Sequence, residues 1–185
     1  MKRIKLNLVL LLLLIATTSY SQPTSTAARW FKLPEQGYFG IPVPSDWEDQ
    51  VKQLSNRQPP AIIFGPGSGR PFQVLITPIR QKAKDQEPQM LAQIRATVER
   101  AAERVKAQSV EKELPIRAFQ GRSGSGYYFS STDRAPKAGE YKFLTQGILL
   151  IGELTVTFTI LTNEGQEQVV QQALDGLKNA VQNDL

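Results

Sequence analysis

The chain has 185 residues, a formal net charge of +5, and neither histidine nor cysteine. Without these residues it cannot form the zinc, haem and iron–sulfur sites that rely on them, a thiol nucleophile or a Ser-His-Asp triad. Disulfides are excluded as well, so the core alone must hold the fold together. The acidic residues show no Asp-x-Asp-x-Asp calcium loop. We therefore expect no metal and no cofactor.

Met1 to Ser21 has the three parts of an export signal. A basic start, Met1 to Lys5, precedes an apolar run from Leu6 to Ala16, and small residues before Gln22 suit cleavage. The apolar run is shorter than the roughly 20 residues that cross a bilayer, so a retained membrane anchor is the less favoured alternative. We expect an exported protein, periplasmic or secreted, with no stable membrane insertion after cleavage.

Removal of this segment changes the charge of the chain. Three of the 22 basic residues and none of the 17 acidic ones lie within it, which leaves 19 basic against 17 acidic residues and a net charge of +2. The basic residues between Arg95 and Lys106 are interleaved with Glu99 and Glu103, which is typical of a solvated, salt-bridged helix face. We therefore expect no nucleic-acid partner.

The residues after the signal predict a flexible leader from Gln22 to Arg29 and then a single domain, residues 30–185. The prolines between Gly37 and Pro44 place the first strand at a sheet edge. A meander of three short antiparallel strands is predicted to follow: Glu48 to Leu54, Ala61 to Phe64 and Phe72 to Ile79.

Apolar residues at helical spacing predict a central helix from Pro88 to Val105. Alternation of apolar residues with threonine predicts a half-buried strand from Leu154 to Ile160. Asn163 is expected to cap a final helix whose apolar positions run from Val169 to Val181, with Gln166 reaching back. Three more strands are predicted between the helices: Leu114 to Phe119, Tyr127 to Thr132 and Tyr141 to Ile151.

This order of elements predicts an α+β fold, a mostly antiparallel sheet packed with two amphipathic helices. The opening Phe39 to Trp47 (Phe-Gly-Ile-Pro-Val-Pro-Ser-Asp-Trp), the central helix, the late strand pair and the helix after Thr162-Asn163-Glu164 resemble the PsbP-like α/β/α sandwich family. The resemblance in layout covers most of the chain after the signal. It implies an exported accessory or assembly factor with a protein partner in the cell envelope and no shared catalytic residue. Some photosynthetic members use histidine around metal ions, a role this histidine-free chain does not share.

A charged connection between two predicted strands, Thr132 to Lys142, is the candidate recognition site. Loops on a rigid sheet commonly hold binding residues, and Tyr and Arg side chains supply contact area with a polar end. The alternative is a solvated hairpin loop whose tyrosines pack at the sheet margin. The candidate ligand- or partner-binding residues are Tyr127, Tyr128, Asp133, Arg134, Lys137, Glu140 and Tyr141.

Three other features have plainer explanations than a binding site. Gly65 to Arg70 could cradle an anion, but it lacks the Gly-Lys-Ser/Thr ending of a P-loop and leads into a strand, which favours a hairpin turn. Gly121 to Gly126 is predicted to be a bulge or mobile loop. Trp30 and Trp47 could stack on a sugar or lipid, although anchoring in the core is favoured.

The sequence therefore predicts an exported, non-catalytic binding or accessory protein of the cell envelope, with no catalytic residue assigned. One alternative is a carboxylate-dependent hydrolase that uses two of Asp133, Glu140 and Glu153, although their spacing demonstrates no cleft. Another is a carrier that holds a small apolar molecule between helix and sheet. The oligomeric state stays open.

Overall fold

The computed structural model describes residues 25–34, 37–53, 55, 58–69, 71–80 and 87–183. The predicted signal, Met1 to Ser21, lies outside these ranges. Within them the elements are β1 (Thr26–Lys32), β2 (Tyr38–Pro44), β3 (Trp47–Lys52), β4 (Ala61–Pro66), β5 (Phe72–Arg80), α1 (Glu87–Lys106), β6 (Arg117–Gln120), β7 (Ser125–Thr132), β8 (Phe143–Ile151), β9 (Leu154–Thr162), α2 (Glu167–Lys178) and β10 (Val181–Asn183).

Two antiparallel sheets organise the described strands. The larger has the order β3-β4-β5-β9-β8-β7-β6, and the smaller has the order β1-β2-β10. β9 lies in the middle of the larger sheet and pairs over nine residues with both β5 and β8. α1 packs on β7 and β8, whereas α2 packs on β2 and β9. The predicted α+β fold with helices on a mostly antiparallel sheet is confirmed.

Alternation along the strands of the larger sheet creates two separate cores, one on each face. Leu154, Val156, Phe158 and Ile160 of β9 are buried in the core shared with α2 and the smaller sheet. On the other face, Phe129 is fully buried beneath one side of α1. The helix presents Ile94, Val98 and Ala102 to this second core. The sheet is therefore a middle layer, with α1 on one face and α2 and the smaller sheet on the other.

The predicted leader is wrong where it overlaps β1. Thr26 to Arg29 belong to a strand that pairs with β2, from Thr26 opposite Pro44 to Lys32 opposite Tyr38. Small and polar residues hid this strand, because they show no apolar alternation. The edge position predicted for the Gly37 to Pro44 strand is also wrong, since β2 lies between β1 and β10.

Pro42 is tolerated within β2 for a local reason. β10 pairs with β2 only from Tyr38 to Gly40, so Pro42 lies beyond its reach. The Pro42 carbonyl oxygen instead faces α2, where a Cβ on Gly176 would come within 2.6 Å of it. N–H and C=O of one strand residue point to the same side, so the missing N–H of Pro42 faces a helix and breaks no ladder.

The end of the chain differs from the predicted continuous helix. α2 begins only after Gln166, whose side chain forms no capping hydrogen bond. Asn163 Oδ1 accepts the Lys142 N–H at 3.0 Å, so the predicted Asn163 cap is wrong. The helix ends at Lys178, and Val181 starts β10, a strand too short to have its own sequence pattern.

The Gly121 to Gly126 stretch forms a turn that enters β7 against the backbone of β8. Gly121 N–H donates to Gly124 O at 2.8 Å, and Arg122 N–H donates to Lys178 O at 2.7 Å. A Cβ on Gly126 would lie 2.1 Å from Ile148 O. Only a residue without a side chain fits there.

Gly126→Ala should lower the free energy of unfolding by about 3 kcal/mol, because the new Cβ overlaps a fixed carbonyl oxygen. Gly65→Ala is the matched control in a strand, since its Cβ would meet nothing closer than 3.9 Å. The control should change the free energy by less than about 1 kcal/mol. Urea denaturation measures both, and equal losses would contradict the close approach of β7 and β8.

Candidate functional site

The seven predicted recognition residues do not form one surface. Tyr127 faces α1, with the Arg95 guanidinium 5.7 Å from its ring centroid. Tyr128 faces the other side of the sheet and packs edge-on against Phe119, with ring centroids 6.3 Å apart. Successive strand residues point to opposite faces, so this separation is inherent in their adjacency. Both tyrosines lie roughly 15 Å along β7 from the hairpin loop at its other end.

The other five predicted residues stay together in the connection between β7 and β8. Arg134 ties this hairpin loop to the segment after α1, because its N–H donates to Gln108 O at 2.9 Å and its Nη2 to Ser109 O at 2.8 Å. Lys137 lies at the exposed tip. The loop is therefore held at its base and open to solvent at its tip.

The three carboxylates proposed for a hydrolase are not arranged across one cleft. Asp133 Oδ1 accepts the Ala135 N–H at 2.9 Å, and Glu140 Oε2 accepts the Lys137 N–H at 3.0 Å, so both shape their own loop. Glu153 lies at the opposite end of β8, about 30 Å away for a nine-residue strand.

A recess opens beside the base of the hairpin loop, where three strands of the larger sheet end in register. Thr132, Phe143 and Thr162 are direct neighbours across β7, β8 and β9. The first turn of α2 covers the recess, which has a volume of about 330 Å³. We call it the sheet-end cleft. Its lining residues are Glu111, Ser130, Ser131, Thr132, Phe143, Leu144, Thr145, Thr162, Asn163, Glu167 and Val170.

Glu111 joins the cleft to the segment that follows α1. Its Oε1 accepts the Thr132 hydroxyl at 2.7 Å, and its Oε2 accepts the Thr132 N–H at 2.9 Å and the Ser109 hydroxyl. Burial alone would raise the pKa of Glu111, but the hydrogen bonds from Ser109 and Thr132 outweigh it and lower the pKa to about 2. The side chain is therefore a fixed carboxylate at neutral pH.

Hydroxyl groups make up most of the remaining polar lining. Ser130 Oγ and Thr145 Oγ1 are hydrogen-bonded to each other at 2.9 Å. Thr162, only 2 % exposed, adds a third hydroxyl group to the same lining. Phe143, Leu144 and Val170 supply apolar surface beside these groups. The cleft thus combines fixed oxygen atoms with an apolar wall.

The nearest basic side chain is held at the rim. Lys142 Nζ donates to Glu164 Oε1 at 2.5 Å and lies 5.6 Å from the Phe143 ring centroid. Hydrogen bonding to Lys142 and its positive charge lower the pKa of Glu164. Lys142 is already engaged by these neighbours and does not line the sheet-end cleft.

A smaller recess of about 170 Å³ lies at the same end of the sheet, on the face covered by α1. Asp133 and Tyr141 from the predicted site line it together with Lys142. Two of the predicted residues therefore border a concave surface. Within the described ranges, no group of three acidic side chains is placed to hold a metal ion.

Sequence reasoning missed Glu111 because Thr132, which joins it to the cleft, lies 21 residues away in β7. The available signal was the polar run Ser130 to Thr132 at the end of β7. Such a run breaks the expected apolar alternation and marks a place where the sheet borders something other than core.

The two tryptophans behave differently from each other. Trp47 is 4 % exposed and contacts Phe64 and Phe72, so its predicted anchoring role is confirmed. Trp30 is 51 % exposed, and burial in the core is wrong for this residue. Its indole lies against the outer side of β2, where a Cβ on Gly40 would come within 2.6 Å of the ring.

The fold is that of PsbP-like proteins, as the resemblance of the sequence predicted. The solution structure of cyanobacterial PsbP (CyanoP) from Synechocystis sp. PCC 6803 superposes with a TM-score of 0.56 over 91 % of this chain and 99 % of that one, at 10 % sequence identity. Identity at that level establishes the shared fold and nothing further.

A crystal structure from Bacteroides thetaiotaomicron VPI-5482 gives a TM-score of 0.40 at 12 % identity, over 79 % of this chain and 45 % of that one. That value is too low to define a common fold.

No family model matches the chain. No curated protein matches it either. Among the described helices, none is both long and apolar enough to cross a membrane.

Glu111→Gln should destabilise the protein at pH 7 and flatten its pH dependence. The pKa of Glu111 is about 2 when folded and about 4.5 when unfolded, so its contribution of at most about 3 kcal/mol is present above pH 4.5 and lost as pH falls toward 2. Urea denaturation across this range should show the two proteins converging near pH 2.

The matched control for this experiment is Glu113→Gln in the same segment. The Glu113 side chain is 83 % exposed and pairs with Lys106 at 2.9 Å, so its removal should cost less than about 1 kcal/mol. A pH profile for Glu111→Gln that parallels the unmodified protein would contradict the role assigned to this carboxylate.

Proposed function

We propose that this protein is exported and acts by binding, as an accessory or assembly factor for another protein or complex of the cell envelope. One observation carries the proposal. The sheet-end cleft is preformed by fixed polar groups and lies beside a hairpin loop anchored through Arg134. A rigid recess next to an exposed charged loop suits recognition of a protruding segment of a partner. The PsbP-like fold and the signal-like Met1 to Ser21 support the same role.

The alternative as a carboxylate-dependent hydrolase receives less support. Asp133 and Glu140 each accept a backbone N–H of their own loop, and Glu153 lies at the far end of β8. A glycosidase requires two carboxylates roughly 5 to 10 Å apart across a substrate. Asp133 and Glu140 serve the local structure of the loop, and neither of them lines the sheet-end cleft.

The carrier of a small apolar molecule is also less well supported. An apolar molecule in this cleft would cover the hydroxyl groups and the carboxylates of Glu111 and Glu167 that lie beside its apolar wall. Desolvating these groups against an aliphatic ligand would cost free energy without replacing their hydrogen bonds.

Export is tested by the intact mass of the protein isolated from its own host. If Met1 to Ser21 is a cleaved signal, the chain recovered from the envelope fraction begins at Gln22. Replacing Leu12 and Leu13 by Arg interrupts the apolar run and should leave the full-length chain in the cytoplasm. A full-length chain in the envelope would instead indicate a retained anchor.

Partner binding is tested by photo-crosslinking in the host, with a benzophenone amino acid at position 137 of the hairpin tip. We expect one defined protein adduct, because this position lies at the exposed tip of the loop whose base borders the cleft. The same group at position 100 on the outer side of α1 is the control. Loss of the adduct on adding Thr145→Val would place the contact at the cleft, whereas equal adducts at both positions would contradict a specific surface.

A further inference from the structure

We propose that this protein forms a symmetric dimer through one half of its larger sheet. α1 packs on β7 and β8, and the strands β3, β4, β5 and β9 lie beside it in the same sheet. We call the α1 side of these four strands the open half-sheet. The inference concerns a second surface and does not depend on what occupies the sheet-end cleft.

The side chains of the open half-sheet are suited to contact with another protein surface. Along β5, residues buried in the core alternate with residues that are half-buried or, at Ile79, 39 % exposed. Ile63, Leu75 and Ile79 stand where a solvated sheet face carries polar or charged side chains. On this face of the described strands β4, β5 and β9, every side chain is uncharged. An apolar, uncharged face of this kind marks an interaction site.

The height of α1 selects the way in which two copies can meet. Two sheets stack about 10 Å apart, and α1 is roughly as thick, so a second sheet fits beside α1 and not above it. A two-fold axis across the strands would make the two α1 helices collide. An axis along the strands, between β4 and β5, instead places β3 of each copy over β9 of the other. Both sheet-end clefts then lie at the same end of the dimer.

This arrangement also covers the free edge of the larger sheet. β3 is the last strand on its side and has β4 as its one neighbour in the sheet. Its unpaired backbone groups form an edge that proteins commonly protect with a helix or a charged side chain. In the dimer, α1 of each copy lies beside β3 of the other. The symmetric contact therefore closes both edges with an element the chain already has.

Arg104 projects from the flank of α1 that faces the open half-sheet. On the other flank, the Arg95 guanidinium lies over the Tyr127 ring of β7. Arg104 follows Arg95 by nine residues, which is about two and a half helical turns, so its side chain points away from β7 and toward β9. This exposed side chain lies beside β3 of the second copy in the dimer.

Glu48 is the acidic counterpart of Arg104. The register through β4 and β5 places Glu48 level with Leu161 of β9, which lines a recess together with Val105 of the last turn of α1. The two-fold axis runs along the strands and preserves this level, so Glu48 of each copy meets Arg104 of the other. Two equivalent pairs of opposite charge thus fix the orientation of the copies.

The area of the open half-sheet reaches what a specific dimer needs. Four strands spaced about 4.8 Å apart, with a mean length of about 25 Å, cover roughly 500 Å² per copy. The two copies together bury about 1,000 Å², and the contacts of α1 with β3 add to this sum, which lies at the lower end for specific interfaces. We therefore expect a dimer of micromolar affinity.

The first test is sedimentation velocity of the purified protein from about 1 to 200 µM, the range in which an interface of this size dissociates. Thr77→Lys places like charges beside the two-fold axis and should raise the Kd at least about tenfold. Ala96→Lys, on the exposed outer side of α1, adds the same charge and should leave the Kd unchanged. A monomer at every concentration, or equal effects of the two variants, would overturn the proposal.

Charge reversal tests the arrangement at two exposed positions where folding is not at stake. Glu48→Arg and Arg104→Glu should each weaken the dimer about fivefold or more, and the double variant should recover most of the lost affinity. A double variant that is no better than the single ones would contradict the proposed pairing.

Photo-crosslinking in the host separates a second copy from any other occupant of this face. A benzophenone amino acid at position 50 of β3 should give an adduct of twice the chain mass. The same group at position 96 is the control and should give none. An adduct with a different protein at position 50, or no adduct, would overturn the dimer and leave the binding function proposed for the sheet-end cleft untouched.

Discussion

The structure depends on the unequal covering of the two faces of its larger sheet. One face is closed by α2 and the smaller sheet, and this side holds the larger core. The other face is covered by α1 over β7 and β8, where Phe129 and Leu150 are buried. β9, paired along its whole length on both sides, connects these regions and transmits one register to β5 and β8. Because the register fixes which side chains point to each face, α1 and α2 each meet an apolar surface on opposite faces of the larger sheet.

The cleft is a geometric result of this layering. Thr132, Phe143 and Thr162 lie side by side at one end of three adjacent strands. The next helix, α2, begins only at Glu167, after a short connection. A helix that starts above the ends of strands cannot fill the wedge between them. Side chains with oxygen atoms line part of this wedge, whereas a closed core would be filled by apolar side chains. Glu111 fixes one wall of the wedge through its hydrogen bonds with Thr132. Rigidity and polarity thus coincide at one end of the molecule.

The elements with strong internal periodicity could be predicted from the sequence. β9 and α1 have the alternation and helical spacing that burial on one side requires, and both lie where they were expected. β1 and β10 could not be predicted, because they are stabilised by pairing with β2 and carry no apolar pattern of their own. The position of Asn163 beside Lys142 and the separation of Tyr127 from Tyr128 depend on register between strands, which local propensity does not encode. The loop residues of the candidate site could be recognised from the sequence, whereas the role of Glu111 could be recognised only from the fold.

The contact between Trp30 and Gly40 links two strands through a missing side chain. The indole is half exposed, yet its inner side lies over the backbone of β2 so closely that even a methyl group at position 40 would displace it. The two positions therefore constrain each other during sequence divergence. A side chain can arise at position 40 only if the aromatic ring at position 30 is lost or moves, so the pair is expected to be inherited and replaced together.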